Sequence, residues 1–268
     1  REKGMKLTKY LNTKQLRSMI SRLFVRYSLP MSKQLSFFAL CVLGSHPIFA
    51  QTPNPPQRVR RSEVIFIDPG HGGKDQGTAS KELHYEEKSL TLSLALTVQS
   101  YLKRMGYKPQ LTRSSDVYVD LGKRVALSNR GQGDVFISIH CNHSSNAAAF
   151  GTEVYFYNGK VGSPTRNRMS EVLGKNILAA MEKNGILKSR GLKTANFVVI
   201  RDTSMPAVLV ETGFLSNSRE RAALQDARYR MHVAKGIAEG VHNFLSGPSF
   251  QKPKQNIAKI RKPQIQAN

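Results

Sequence analysis

From Val64 to Leu245, short apolar runs alternate with longer stretches whose apolar residues recur every three or four positions. That alternation restricts the possible folds more than any other feature. A strand pattern followed repeatedly by a helix pattern implies an α/β architecture, with a largely parallel sheet flanked by helices. Val64-Ile65-Phe66-Ile67 reads as a buried strand ending at Asp68-Pro69-Gly70. From Glu87, the stripe Leu90, Leu94, Val98, Tyr101, Met105 follows helical spacing, and Gly106 stops it. Lys108 to Thr112 reads as a second strand and Leu121 to Arg130 as a second helix. Val135 to Ile139 is a third strand running into His140, and Thr152 to Tyr157 a fourth. Thr165 to Lys183 is a long helix. Phe197 to Ile200 and Ala207 to Val210 are further apolar runs, and Arg219 to Leu245 is helical in two pieces.

The ends of the chain differ from this core. The net charge is +23, with 12 Lys/Arg against one acid in residues 1–61 and 5 against none in residues 246–268. Residues 62–245 carry 24 bases and 17 acids, so the folding part is only moderately basic. Met31, Lys33, the apolar run Leu35 to Gly44 and the small residues up to Ala50 have the layout of a secretory signal peptide. The run is about half the roughly 20 residues that span a bilayer, so no stable membrane anchor is expected after its removal. Cys41 follows Leu40, a poor match to a lipid-attachment site, and Cys141 is the only other cysteine. The expected organisation is therefore an upstream extension at 1–30, a signal peptide at 31–50 and a linker at 51–62. A single folded domain at 63–246 and a disordered basic tail at 247–268 follow. Export argues against nucleic acid as a partner. The basic ends suit loose attraction to anionic envelope components.

Three polar residues occupy equivalent places in this pattern. His71 follows the first strand in a glycine-rich turn, His140 ends the third, and Glu211 ends the last. Ligands of open α/β sheets bind beyond the carboxyl ends of parallel strands, where residues remote in sequence converge. Glu87 heads the inward stripe of the first helix, although Glu86, one turn before Leu90, shares the periodicity. Two imidazoles and a carboxylate form the ligand set of many catalytic zinc sites, which keep a further position open for water. A phosphate-binding loop is excluded: counting back from Gly73-Lys74 puts Asp68 where glycine is required.

Asp68-Pro69-Gly70-His71-Gly72-Gly73, the pair Glu87-Lys88, Ser138-Ile139-His140-Cys141-Asn142 and the run Pro206 to Asn217 together resemble the zinc-dependent N-acetylmuramoyl-L-alanine amidases of the type 3 family. These are bacterial cell-wall hydrolases acting in the periplasm or after secretion to the envelope. The resemblance covers about Val64 to Leu245 and implies a mixed sheet flanked by helices. It also implies that His71, Glu87 and His140 ligate Zn2+ and that Glu211 is the catalytic glutamate. Lys88 is what selects Glu87 over Glu86. The implied reaction is hydrolysis of the amide between the lactyl group of N-acetylmuramic acid and the L-alanine of the peptidoglycan stem. Zinc lowers the pKa of water to about 7 and polarises the carbonyl, while Glu211 moves the proton to the departing nitrogen. Cys141 stands where the family more often has alanine, and is expected to be inert. Some members carry a long insertion after the strand matching Thr152–Tyr157 that plugs the site until an activator removes it. Here only Asn158 to Pro164 intervenes, so no activator is expected to be required. His84 and His143 match no ligand position, His232 and His242 sit on the last helix, and Asp68 and Asp75 are expected to order the glycine turn. Two rival functions carry over: a zinc peptidase cutting within the stem peptide, and a non-catalytic binder of anionic envelope polymer.

Overall fold

The computed structural model describes residues 61–186 and 188–250. The expected extension at 1–30, the expected signal peptide at 31–50, and nearly all of the expected linker and basic tail lie outside the described residues. In chain order the elements are β1 (Val64–Pro69), β2 (Ala79–Ser80), β3 (Tyr85–Glu86), α1 (Glu87–Arg104), β4 (Lys108–Leu111), α2 (Leu121–Arg130) and β5 (Val135–Asn142). They continue with β6 (Thr152–Phe156), α3 (Pro164–Lys183), β7 (Ser189–Thr194), α4 (Val198–Arg201), β8 (Ala207–Phe214), α5 (Ser218–Gln225) and α6 (Ala227–Ser246). Six strands form one mixed sheet in the order β4-β1-β5-β8-β6-β7, while β2 and β3 make a separate hairpin. β4, β1, β5 and β8 are parallel neighbours, and β6 runs antiparallel to β8.

The central strands β1, β5 and β8 are apolar along most of their length because both faces of the sheet are covered there. Alternate residues divide between two cores. Ile65, Ile67, Ile137, Ile139, Val208 and Val210 face the long helices α1, α3 and α6, meeting Leu94, Val98, Leu173, Ile177, Val241 and Phe244. Phe66, Phe136 and Leu209 face the other way, onto Val199, Ile200 and Met205. Asp68, Ser138, His140 and Glu211 share the parity of this second set, so they continue its face past the carboxyl ends of β1, β5 and β8.

Local chemistry sets the helix boundaries. Asp120 accepts the Lys123 N–H at the start of α2, Ser163 the Arg166 N–H ahead of Pro164, and Asp226 the Arg228 N–H of α6. α1 begins differently. Glu86 makes no side-chain cap; the Glu87 and Lys88 N–H groups donate to the carbonyls of Thr78 and Gln76. Backbone from the preceding loop thus satisfies the helix end, and the Glu87 carboxylate is left for other work. Two elements escaped the sequence reading. The hairpin is too short to show a pattern, and β7 reads Ser-Arg-Gly-Leu-Lys-Thr, with a single apolar residue. Phe197 to Ile200, an apolar run by sequence, caps the second core as the short helix α4.

Candidate metal centre

The turn after β1 is held by two buried guanidinium groups. Arg113 donates to the carbonyls of Pro69 at 3.0 Å and Gly70 at 2.8 Å. Arg124 donates to Pro69 O at 2.6 Å and His71 O at 2.7 Å, and pairs with Asp68 at 2.7 Å. Asp68, itself buried, also accepts from the hydroxyls of Thr112 and Ser138. Three consecutive carbonyls are therefore fixed by charge-assisted bonds. This holds His71 in left-handed backbone at φ 60°, a conformation that costs a non-glycine residue on the order of 1–3 kcal/mol. Gly70 is needed for a different reason. A Cβ there would lie 2.3 Å from Cε1 of His140, so the imidazole packs directly on the turn backbone.

The structure brings His71, Glu87 and His140 together: one donor atom from each lies within 4.8 Å of the others. Oε1 of Glu87 stands 3.1 Å from Nε2 of His71 and 3.1 Å from Nδ1 of His140, and accepts the Cys141 N–H at 3.0 Å. Oε2 accepts the Thr78 N–H at 3.0 Å. Burial alone would push the Glu87 carboxyl up, but the two imidazoles outweigh it and hold it well below the usual carboxylate range. Burial pulls His71 down, whereas Glu87 and Asp75 raise it further. Asp75 accepts from Nδ1 of His71 at 2.9 Å, which orients the ring and leaves Nε2 facing Glu87. Two imidazole nitrogens and an ionised carboxylate oxygen, converging within 4.8 Å, suit a divalent cation with N/O preference such as zinc.

Glu211 sits one strand further along. It is the register partner of His140 on β8, and Oε2 is buried with no hydrogen-bond partner. Burial, with the nearby charges of Glu87 and Glu153 acting against His140, raises its carboxyl to about 7. Glu153 is the register partner of Glu211 on the opposite side, on β6. It is buried too, yet Lys193, Tyr155, Arg190 and Asn142 all bond to it. Those bonds overcome the effect of burial and hold its carboxyl at about 2. Adjacent carboxylates in one row thus have well-separated acidities, an arrangement typical of acid–base sites. A cavity of about 320 Å³ opens beside His71 and His140, walled by Tyr118, Leu121 and Val199.

Glu86 lies away from the cluster, 3.6 Å from the Lys88 ammonium, so the structure separates it from Glu87. His84, His143 and His232 are exposed, and His242 meets the Tyr107 hydroxyl at 2.8 Å. Cys141 is buried with Sγ 3.3 Å from Thr212 Oγ1, and burial pushes its thiol well up, against metal binding. Arg113, Arg124, Glu153, Arg190 and Lys193 were not singled out from the sequence. One signal was available for Glu153: Thr152, Val154 and Phe156 alternate into the core, placing Glu153 on the face shared with Glu211.

Residues 65–243 match the family described as N-acetylmuramoyl-L-alanine amidase. The chain is 35% identical over 233 residues to the amidase AmiC of Neisseria meningitidis serogroup B, covering 73% of this chain and 56% of that protein. It spans about half the length of the curated relatives it matches. Among solved structures, the catalytic domain of the amidase CwlV from Bacillus (Paenibacillus) polymyxa is 38% identical with a TM-score of 0.61. That match covers 69% of this chain and 98% of CwlV. The CwlD amidase of Clostridioides difficile, in complex with the GerS lipoprotein, is 26% identical with a TM-score of 0.63, over 69% of this chain and 99% of that one.

Proposed function

Because the chain belongs to the N-acetylmuramoyl-L-alanine amidase family, we propose that it cleaves the amide between N-acetylmuramic acid and the L-alanine of the peptidoglycan stem. His71, Glu87 and His140 hold a zinc ion, and Glu211 transfers the proton. The observation that carries this reading is the meeting of three ligand-type atoms beside a buried carboxylate oxygen without a partner. When bound, zinc supplies Lewis-acid polarisation of the scissile carbonyl and lowers the pKa of water to about 7.

The remaining work falls to the protein's own groups. Oε2 of Glu211, unengaged, accepts the proton of the attacking water. Its burial, which raises the carboxyl in the metal-free protein, favours the protonated form, so Glu211 holds that proton and returns it to the departing nitrogen. Glu153 stays ionised beside it, and its charge favours the protonated form of Glu211. Asp75 fixes the tautomer of His71, and Arg113 and Arg124 keep the turn in register. The substrate lies outside the cytoplasm, so action in the periplasm or at the secreted envelope follows. Among the described residues no helix is long and apolar enough to cross a membrane. Only residues 157–163 join β6 to α3, which supports activity without an activator. Full activity of the purified chain alone tests that point.

The deciding experiment is digestion of purified peptidoglycan with and without a chelator, followed by mass analysis. Free lactyl carboxylates and stem peptides beginning with L-alanine, lost on chelation and in Glu211→Gln, support the amidase. Fragments cut inside the stem would replace it with the peptidase reading. Binding without cleavage, unchanged by chelator, would leave only a polymer binder.

A further inference from the structure

The polar row that contains His140, Glu211 and Glu153 does not stop at Glu153. It continues onto the edge strand β7, where Arg190 and Lys193 both bond to the Glu153 carboxylate, at 2.6 and 2.5 Å. Two cations share that one carboxylate, so it does not fully occupy either of them; Glu220 is the further acid near Arg190. Both side chains remain 36% and 38% exposed. Arg190 pairs through Nε, which leaves the two terminal nitrogens of its guanidinium outside that bond. Its guanidinium lies 5.2 Å from the Phe214 ring centroid, and Lys193 lies 5.9 Å from that of Tyr155. Glu153 and the aromatic rings thus hold the donors in place, and little ordering cost remains when an anion arrives.

We propose that Arg190 and Lys193 form a carboxylate-binding subsite that recognises the second residue of the stem peptide. The inference rests on the amidase reading. In peptidoglycan the residue after L-alanine is a glutamate joined through its side-chain carboxyl, so its α-carboxylate is free. Along an extended stem that carboxyl carbon lies on the order of 6 Å from the scissile nitrogen. β7 lies two strands from β8, roughly 10 Å away, and the cationic side chains lean back toward Glu153 on the strand between. A stem that runs from the end of β8 toward β6 directs its carboxylate to this side of the sheet. Planar guanidinium–carboxylate pairing gives direction as well as attraction, so the subsite sets which side of the amide the peptide occupies. A stem whose α-carboxylate is amidated loses the charge and one acceptor, and is a poorer substrate.

The test compares two soluble fragments, N-acetylmuramyl-L-alanyl-D-glutamate with a free α-carboxylate and its α-carboxamide counterpart. The zinc-loaded wild type should cleave the carboxylate form with kcat/KM about ten-fold higher or more, chiefly through KM. In Arg190→Gln and Lys193→Gln the preference should shrink, and in the double variant the ratio should approach one, with melting temperature checked to show that the fold persists. Calorimetry should show the released dipeptide L-alanyl-D-glutamate binding the wild type more tightly than its α-amide, independently of turnover. Equal rates on the two fragments in the wild type, or a preference that survives the double substitution, would overturn the subsite. If the wild type cleaves neither fragment nor intact peptidoglycan, the amidase reading itself fails and the subsite falls with it.

Discussion

Replacing Gly70 by alanine should dismantle the candidate metal centre while sparing the fold. A Cβ at this position would meet Cε1, Nε2 and Nδ1 of His140 at 2.3, 2.4 and 2.6 Å. Carbon contacts are comfortable only near 3.5–4.0 Å, so the ring or the turn must shift by about 1 Å. The turn cannot give easily: the Gly70 N–H donates to Ile139 O at 3.0 Å, and Gly70 O accepts from both Arg113 and Thr91. The imidazole therefore moves, and its Nδ1 leaves the 3.1 Å contact with Glu87. Overpacking of this kind costs about 1–3 kcal/mol of stability. A reacting group displaced by about 1 Å costs on the order of 10²-fold in rate. Zinc affinity by calorimetry and muramyl-peptide hydrolysis should both fall steeply, while far-UV circular dichroism stays unchanged. Gly122→Ala is the control, because its Cβ would meet only Asp120 Oδ1, at 3.4 Å. Unchanged zinc affinity together with unchanged turnover in Gly70→Ala would refute the claim that His140 is pinned against this turn as a ligand.

Asp75→Asn should weaken zinc binding about 10–100-fold, since the partner that orients His71 loses its charge; wild-type affinity in a competition titration would remove Asp75 from the centre. Arg124→Met should cost about 3–5 kcal/mol in urea unfolding, because Asp68 is left buried without its cation. A loss below about 1 kcal/mol would show that the remaining hydroxyl donors suffice. In metal-free protein the folded state keeps a proton on Glu211 up to about 7, whereas the unfolded chain releases it near 4.5. Folding stability contributed by this group is therefore lost as pH rises through that window. Glu211→Gln should flatten the corresponding part of the stability–pH curve measured in chelator, and identical slopes in the two proteins would contradict a raised acidity.

Much of the architecture was legible along the chain. Leu90, Leu94 and Val98 announced α1, and the boundaries Leu121 and Arg130 of α2 were readable as they stand. Where one face of an element is buried, the burial pattern repeats with that element's own period, so it is written locally. β7 was not legible because its contribution to the sheet is polar, an edge strand carrying Arg190 and Lys193 toward Glu153. The polar residues at strand ends were visible too, since a parallel sheet places such positions in one crevice. The sequence by itself determined the alternation, the two-sided core and the set of imidazoles and carboxylates available to the crevice. Periodicity left Glu86 and Glu87 open and Lys88 favoured Glu87 by resemblance; the tertiary structure shows Glu87 meeting both histidines, and it alone decided that neighbouring Glu153 and Glu211 differ so widely in acidity. Acidity and ligation depend on which charges lie a few ångströms away through space. Those distances are set by strand order and register, which no local pattern records.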